Sequence, residues 1–137
     1  MKIKSIDHIA IATQDPDGFR HFFETLLGIA FAGSEVVERE GVTTHFYPVQ
    51  GTSLEVLEPL NAESGVARFI EKRGPGLHHI ALSVEGLDAM VFKLRQTGIQ
   101  FTTDSPVPGA HGKRIIFIHP KSTGGVLIEL SEQSANA

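Results

Sequence analysis

The sequence has no cysteine, so disulfide bonds and thiolate chemistry are excluded, and any bound metal ion must be held by oxygen and nitrogen atoms. It also has no apolar run near the ~20 residues that a membrane-spanning helix needs. Lys and Arg total 12 against 16 Asp and Glu, which gives a net charge of -4. Such a chain has no general attraction to nucleic acid or to an anionic membrane.

The composition is that of a soluble globular protein. Of 137 residues, 41% are apolar and 20% are charged, which favours one domain over residues 1–137. Residues 1–12 are basic and then apolar, but Asp7 and His8 interrupt the apolar part. We therefore predict a strand here and not a signal peptide, and we expect a cytoplasmic location.

An internal duplication is visible in the sequence. Three pairs of segments recur in the same order: 7–12 (DHIAIA) with 78–83 (HHIALS), 28–31 (GIAF) with 98–101 (GIQF), and 51–58 (GTSLEVLE) with 125–132 (GVLIELSE). Similar gaps separate the members in each half. We therefore predict an α+β fold of two βαβββ modules, forming an open, cupped sheet around a shared site.

The predicted boundaries are module one at about 1–60, a connecting helix at about 61–76, and module two at about 77–132. Within module one, Asp15 and Pro16 are typical of a helix start, and apolar residues at helical spacing continue to Gly28. Strands are expected near 29–38, 43–49 and 53–58. Module two is expected to have a helix at 86–97 and strands near 100–103, 113–119 and 125–131.

Four residues stand out because their types recur in both halves. His8 and His79 lie in apolar strands, as do Glu55 and Glu129, and each His precedes its Glu by 47 or 50 positions. Any one of them could be a hydrogen-bonded core residue or half of an ion pair, because a buried carboxylate needs a partner. The joint recurrence favours a metal site, and this donor set suits Mn, Co, Ni, Zn or Fe(II).

The other histidines have weaker claims. His78 should lie on the opposite strand face from His79, because strand side chains alternate. His111 lies in a loop rich in Gly and Pro and could approach a substrate. His119 precedes Pro120 and is expected to end a strand, and His45 has no assigned role.

Long motifs carry a resemblance to a known family. They are IDHIAIA at 6–12, LEVLEPL at 54–60, FIEKRGPGLHHIAL at 69–82 and PGAHGKRIIFIHPKSTGGVLIEL at 108–130. The chain resembles the vicinal oxygen chelate superfamily, and within it the methylmalonyl-CoA epimerases. The resemblance implies metal ligands at His8, Glu55, His79 and Glu129, a divalent ion (Co²⁺ first, with Mn²⁺, Ni²⁺ or Zn²⁺ as alternatives) and a homodimer.

The activity implied is the interconversion of (2R)- and (2S)-methylmalonyl-CoA by removal of the α-proton through a metal-stabilised enolate. Glu129 is expected to be one base, and Glu55, or a water near Thr44, the other. Some relatives have a glutamate at the position of Thr44, which cannot act as a carboxylate base. The partner is an acyl-CoA, and Lys113, Arg114 and Lys121 are candidates to bind its phosphates, or else ordinary solvated surface.

Three other functions are compatible with parts of the sequence. A glyoxalase I type lactoylglutathione lyase uses the same four ligands and also moves a proton. An extradiol dioxygenase uses two His and one carboxylate, so a fourth ligand at Glu55 argues against it. A binding module without catalysis often loses ligands, whereas all four positions are filled here.

Overall fold

A computed structural model describes residues 1–134. Its helices are α1 (Pro16–Arg20), α2 (Gly65–Arg73) and α3 (Leu87–Gln96). Its strands are β1 (Lys2–Ala12), β2 (Ser34–Val37), β3 (Val42–Val49), β4 (Thr52–Pro59), β5 (Gly76–Glu85), β6 (Val107–Pro108), β7 (Lys113–Ile118) and β8 (Ile128–Gln133). Each half therefore has the predicted order of strand, helix and three strands, and the α+β class is confirmed.

The chain forms two compact units. The first unit is His8–His78, and the second is Met1–Asp7 with His79–Ala137. In the first unit the strand order is β2-β3-β4-β1, and in the second it is β5-β8-β7-β6. In each unit the first strand runs parallel to the last strand of its module, and the other pairs are antiparallel.

The helix predicted from Asp15 onward has two parts. The Asp15 carboxylate accepts a hydrogen bond from the Gly18 amide at 3.0 Å and so caps α1, as expected. After Arg20 the chain continues as a π-helical turn over His21–Leu26, where the Leu27 amide donates to the Phe22 carbonyl. The apolar spacing predicted the helix and its end near Gly28, but did not predict the wider turn.

Two predicted strands are shorter than expected. The strand near 29–38 is confined to β2, because Gly33 has a φ of +99° that interrupts an extended backbone. The strand near 100–103 is reduced to a single bridge between Phe101 and Ile118. Conversely, the loop 104–112 contains β6 and a 3₁₀ turn at Ala110–Gly112.

The first unit has apolar clusters on both faces of its sheet. One contains Phe23, Tyr47 and Val56, and the other packs α2 over strand residues: Ala10, Ala12, Val42, Leu57 and Val66. Burial of a large apolar side chain contributes roughly 1.5–3 kcal/mol. Burial also raises the pKa of Tyr47 above its ordinary value.

The second unit packs α3 onto β5, β7 and β8. Its cluster contains Val84, Leu87, Val91, Ile116 and Leu130. Leu130 lies between Glu129 and Ser131, so its burial under α3 directs both neighbours to the opposite face of β8. Within residues 1–134 no helix has the length and apolar character needed to span a membrane.

Candidate metal centre

The first His–Glu pair is positioned by β1 and β4. In this parallel pair Ala10 lies beside Glu55, and His8 is two residues before Ala10 on the same face. The His8 Nδ1 atom is 3.3 Å from the Glu55 Oε2 atom. Both residues are 7% exposed, so the imidazole and the carboxylate are held together out of water.

The second pair repeats this arrangement on β5 and β8. Ala81 lies beside Glu129, and His79 is two residues before Ala81. The His79 Nε2 atom is 3.2 Å from the Glu129 Oε1 atom. His79 is 7% and Glu129 is 4% exposed, which closely matches the burial of the first pair.

The repeat extends to the strands on the other side of each glutamate. Phe46 of β3 lies opposite Glu55, and Phe117 of β7 lies opposite Glu129. The Phe117 ring packs edge-on against the His79 ring, with centroids 5.0 Å apart. Each carboxylate is therefore flanked by an alanine on one neighbouring strand and a phenylalanine on the other.

The chemistry of these side chains fits a divalent cation. Each unit supplies one imidazole nitrogen and one carboxylate oxygen, with no sulfur, and intermediate metals such as Co²⁺, Mn²⁺, Ni²⁺ and Zn²⁺ accept this mixture. A buried carboxylate is costly unless its charge is compensated, and a cation compensates it more fully than a neutral imidazole. Both pairs therefore have the donor chemistry of a divalent-metal site.

The remaining candidates are distributed around these pairs. Thr44 is buried and lies opposite Leu57, which places it on the face that carries Glu55. His78 lies on the other face from His79, as predicted, with its ring against Phe69 at 4.8 Å.

Three further histidines, whose claims from the sequence were weaker, have local environments of their own. His45 bridges two neighbouring strands, with Nδ1 2.7 Å from the Ser34 hydroxyl and Nε2 3.1 Å from Glu58. His119 follows the end of β7, as predicted, and its Nδ1 accepts a hydrogen bond from the Lys121 amide. His111 has a φ of +58°, which is an uncommon conformation for a residue other than glycine.

The basic segment, residues 112–121 with Lys113, Arg114 and Lys121, is largely neutralised by acidic partners. Lys113 donates to Asp7 at 2.8 Å, and Arg114 donates to Asp88 at 2.7 Å and to Glu132 at 3.4 Å. The hydrogen bond between Asp88 and Arg114 lowers the pKa of Asp88 and raises that of Arg114. Their partners are distant in sequence, which is why composition alone suggested an available basic patch.

One buried polar residue near the second pair was not among the predicted site residues, although strand alternation places it on the face of Glu129. Ser131 is two residues after Glu129 on β8 and is 2% exposed. The available signal was the repeat itself, because the alignment of 51–58 with 125–132 matches Ser131 to Leu57. A polar residue in place of an apolar one, beside a candidate ligand, marks a difference between the modules.

The chain belongs to the Glyoxalase/Bleomycin resistance protein/Dioxygenase superfamily. The model of that family matches residues 7–117, which include His8, Glu55 and His79. The resemblance expected from the sequence is therefore confirmed at the level of the superfamily and its fold.

Relatives that are similar to the chain over most of its length include epimerases. The chain is 35% identical over 128 residues to the mitochondrial methylmalonyl-CoA epimerase of Homo sapiens, covering 93% of this chain and 73% of that protein. It is 34% identical over 132 residues to the ethylmalonyl-CoA/methylmalonyl-CoA epimerase of Cereibacter sphaeroides, covering 95% and 98%. These matches confirm the predicted class of enzyme, an isomerase.

A solved structure extends the likeness to three dimensions. A methylmalonyl-CoA epimerase in complex with methylmalonyl-CoA and NH₄⁺ superposes with a TM-score of 0.90 at 35% identity, covering 98% of this chain and 97% of that one. At this coverage the whole of the fold is shared.

Proposed function

We propose that this protein interconverts the 2R and 2S epimers of methylmalonyl-CoA. The observation that carries the proposal is the repetition of a buried His–Glu pair, at 3.3 and 3.2 Å, in both modules of a chain similar to epimerases. An epimerase needs a proton removed from one face of the α-carbon and returned to the other, and two carboxylates of equivalent setting suit that requirement.

We further propose that the four side chains bind one divalent ion, with Co²⁺ as the first candidate. His8, His79 and Glu129 are buried and of the types that could hold a metal ion, and Glu55 is the repeat partner of Glu129. When bound, the ion supplies positive charge next to the thioester carbonyl and the carboxylate of the substrate, where negative charge develops.

The protein's own groups then move the proton. Glu129 takes the α-proton on one face, and Glu55, or a water near Thr44, returns a proton on the other face. The burial of both carboxylates keeps bulk water away from the reacting carbon, and the flanking Phe46 and Phe117 form apolar walls beside them.

We propose that fewer cations of the basic segment contact the phosphates of CoA than the sequence suggested. Lys113 and Arg114 already pair with acidic residues. Lys121 is exposed, and the structure of residues 1–134 records no ion pair for it. We assign Lys121 as the cation of this segment that is available to a CoA phosphate.

The test is conversion of pure (2R)-methylmalonyl-CoA to the 2S form by wild type, Glu129→Gln and Glu55→Gln. Both variants keep an oxygen ligand but lose the base, so we expect at least a 100-fold slower conversion by Glu129→Gln. Glu58→Gln is the matched control, because Glu58 lies on the opposite face of β4 and pairs with His45. Conversion by Glu129→Gln at the rate of the control would overturn the role of Glu129.

A further inference from the structure

Ser131 is a polar residue without a structural reason to be polar. Its Oγ is the one buried side-chain nitrogen or oxygen within residues 1–134 that has no hydrogen-bond partner. Burying a hydroxyl without a partner costs free energy, so alanine would be the more stable choice for packing alone. A bound ligand with a hydrogen-bond acceptor would supply the partner that this hydroxyl lacks.

The repeated module shows that the fold does not require a hydroxyl here. The matched residue of the first unit is Leu57, which packs in an apolar cluster with Ala10, Ala12, Val42 and Val66. The strand pairing is equivalent, since Leu57 lies beside Ala12 of β1 and Ser131 lies beside Ser83 of β5. The hydroxyl is therefore a property of one module and not of the architecture.

The position of Ser131 links it to the candidate metal centre. Glu129 and Ser131 share one face of β8, while Leu130 between them packs under α3. Residues i and i+2 of a strand are about 6.5–7 Å apart, so an oxygen of a small ligand held at Glu129 lies within reach of Ser131. Glu129 and Ser131 are buried to a similar degree, so a ligand that contacts Glu129 lies at the same depth as Ser131.

We infer that Ser131 donates a hydrogen bond to the carboxylate of a 2-carboxyacyl thioester, and so selects malonyl-type substrates over plain acyl thioesters. This inference rests on the proposed function. A hydroxyl offers one donor, and a hydrogen bond to a charged acceptor is stronger than one to a neutral carbonyl. A plain acyl-CoA has the thioester carbonyl but no carboxylate, so it cannot use the bond.

The test compares the affinities of the Co²⁺-loaded protein for methylmalonyl-CoA and propionyl-CoA by calorimetry. We expect Ser131→Ala to weaken methylmalonyl-CoA binding about tenfold and propionyl-CoA binding less than twofold. Ser131→Thr keeps a hydroxyl and should keep the preference. Ser5→Ala, at an exposed serine of β1, is the control for serine removal.

The outcomes separate the role of Ser131 from packing and from failure of the proposed function. Equal weakening of both ligands, or no change in either, would overturn the inference. A lower Tm of Ser131→Ala with an unchanged preference would assign the hydroxyl to a buried water and equally overturn it. If wild type itself does not prefer methylmalonyl-CoA, the proposed function has failed, whatever the variants do.

Discussion

At the scale of single residues, two adjacent histidines have different surroundings. His78 and His79 are adjacent, yet His79 meets Glu129 while His78 packs on Phe69. The sequence predicted this from strand alternation alone. The repeat marks Ser131 as a polar residue in place of Leu57, but the missing hydrogen-bond partner of its hydroxyl and the pairing of Lys113 with Asp7 both depend on which distant strands become neighbours.

The pair of histidines offers a matched test of metal binding. We expect His79→Ala to lose at least tenfold in Co²⁺ affinity because it removes an imidazole ligand. His78→Ala should bind Co²⁺ as wild type does. Titration followed by visible absorption measures both, and equal affinities of the two variants would remove His79 from the site.

At the scale of elements, the helix α3 begins in an unusual way. Its first residue follows Gly86, which has no side chain to cap the helix. The amides of Gly86 and Leu87 instead donate to the Glu132 carboxylate of β8 at 2.8 and 3.2 Å. A carboxylate at a helix N-terminus accepts hydrogen bonds from amides that have no partner within the helix. Its negative charge also interacts favourably with the positive end of the helix dipole. The sequence could not show this cap, since 46 residues separate Gly86 from Glu132.

Replacing that carboxylate should loosen the attachment of α3. We expect Glu132→Ala to lower stability by about 1–2 kcal/mol, which is the usual cost of losing a cap. Glu85→Ala is the control, because the ion pair that the structure of residues 1–134 records for Glu85 is an exposed 3.8 Å contact with Lys2, so its loss should change stability by less than about 0.5 kcal/mol. Thermal unfolding of both variants measures the difference, and equal Tm values would show that the cap contributes nothing.

The ion pair that joins α3 to β7 should give a pH-dependent contribution. The hydrogen bond from Arg114 lowers the pKa of Asp88 in the folded state. A lowered carboxyl pKa gives stability that is present above the unfolded pKa of about 3.9 and is lost as the pH falls through the folded value. Asp88 is highly exposed, so the effect is small and screened by salt.

The corresponding prediction compares wild type with Asp88→Asn. The Tm difference between them should be constant from neutral pH down to about pH 5, shrink as the pH falls below about 4, and decrease in 1 M salt. Thermal melts between pH 2 and 7 measure it. A difference that grows in acid would contradict the assigned direction of the Asp88 pKa.

At the scale of the whole molecule, the duplication is what made the fold and the candidate site predictable. Matching the two halves located His8 with Glu55 and His79 with Glu129, and each pair lies together in its own unit. The module boundaries near residues 60 and 77 and the homodimer remain predictions. We expect light scattering to give twice the 14.8 kDa mass of one chain, and a monomer would contradict the dimer.

Two local features of the fold could not be predicted from the spacing of apolar residues. The π-helical turn at His21–Leu26 keeps the apolar spacing of an ordinary helix, and Gly33 shortens β2 through its backbone conformation. The basic segment looked like a ligand site in the sequence because Asp7 and Asp88, the acidic partners of Lys113 and Arg114, lie far from it along the chain. Local patterns thus predicted the elements, whereas long-range pairing decided the electrostatics.

We propose that removal of the α-proton of methylmalonyl-CoA requires a metal ion held by the two His–Glu pairs. Proton NMR in deuterated water tests it with three samples: the metallated protein, the protein after EDTA, and the EDTA-treated protein with Co²⁺ restored. We expect loss of the α-proton signal in the first and third samples and background exchange in the second. Equal exchange with and without metal, or none in a fully metallated sample, would contradict it, and in the latter case the hemithioacetal of glutathione and methylglyoxal becomes the substrate to try.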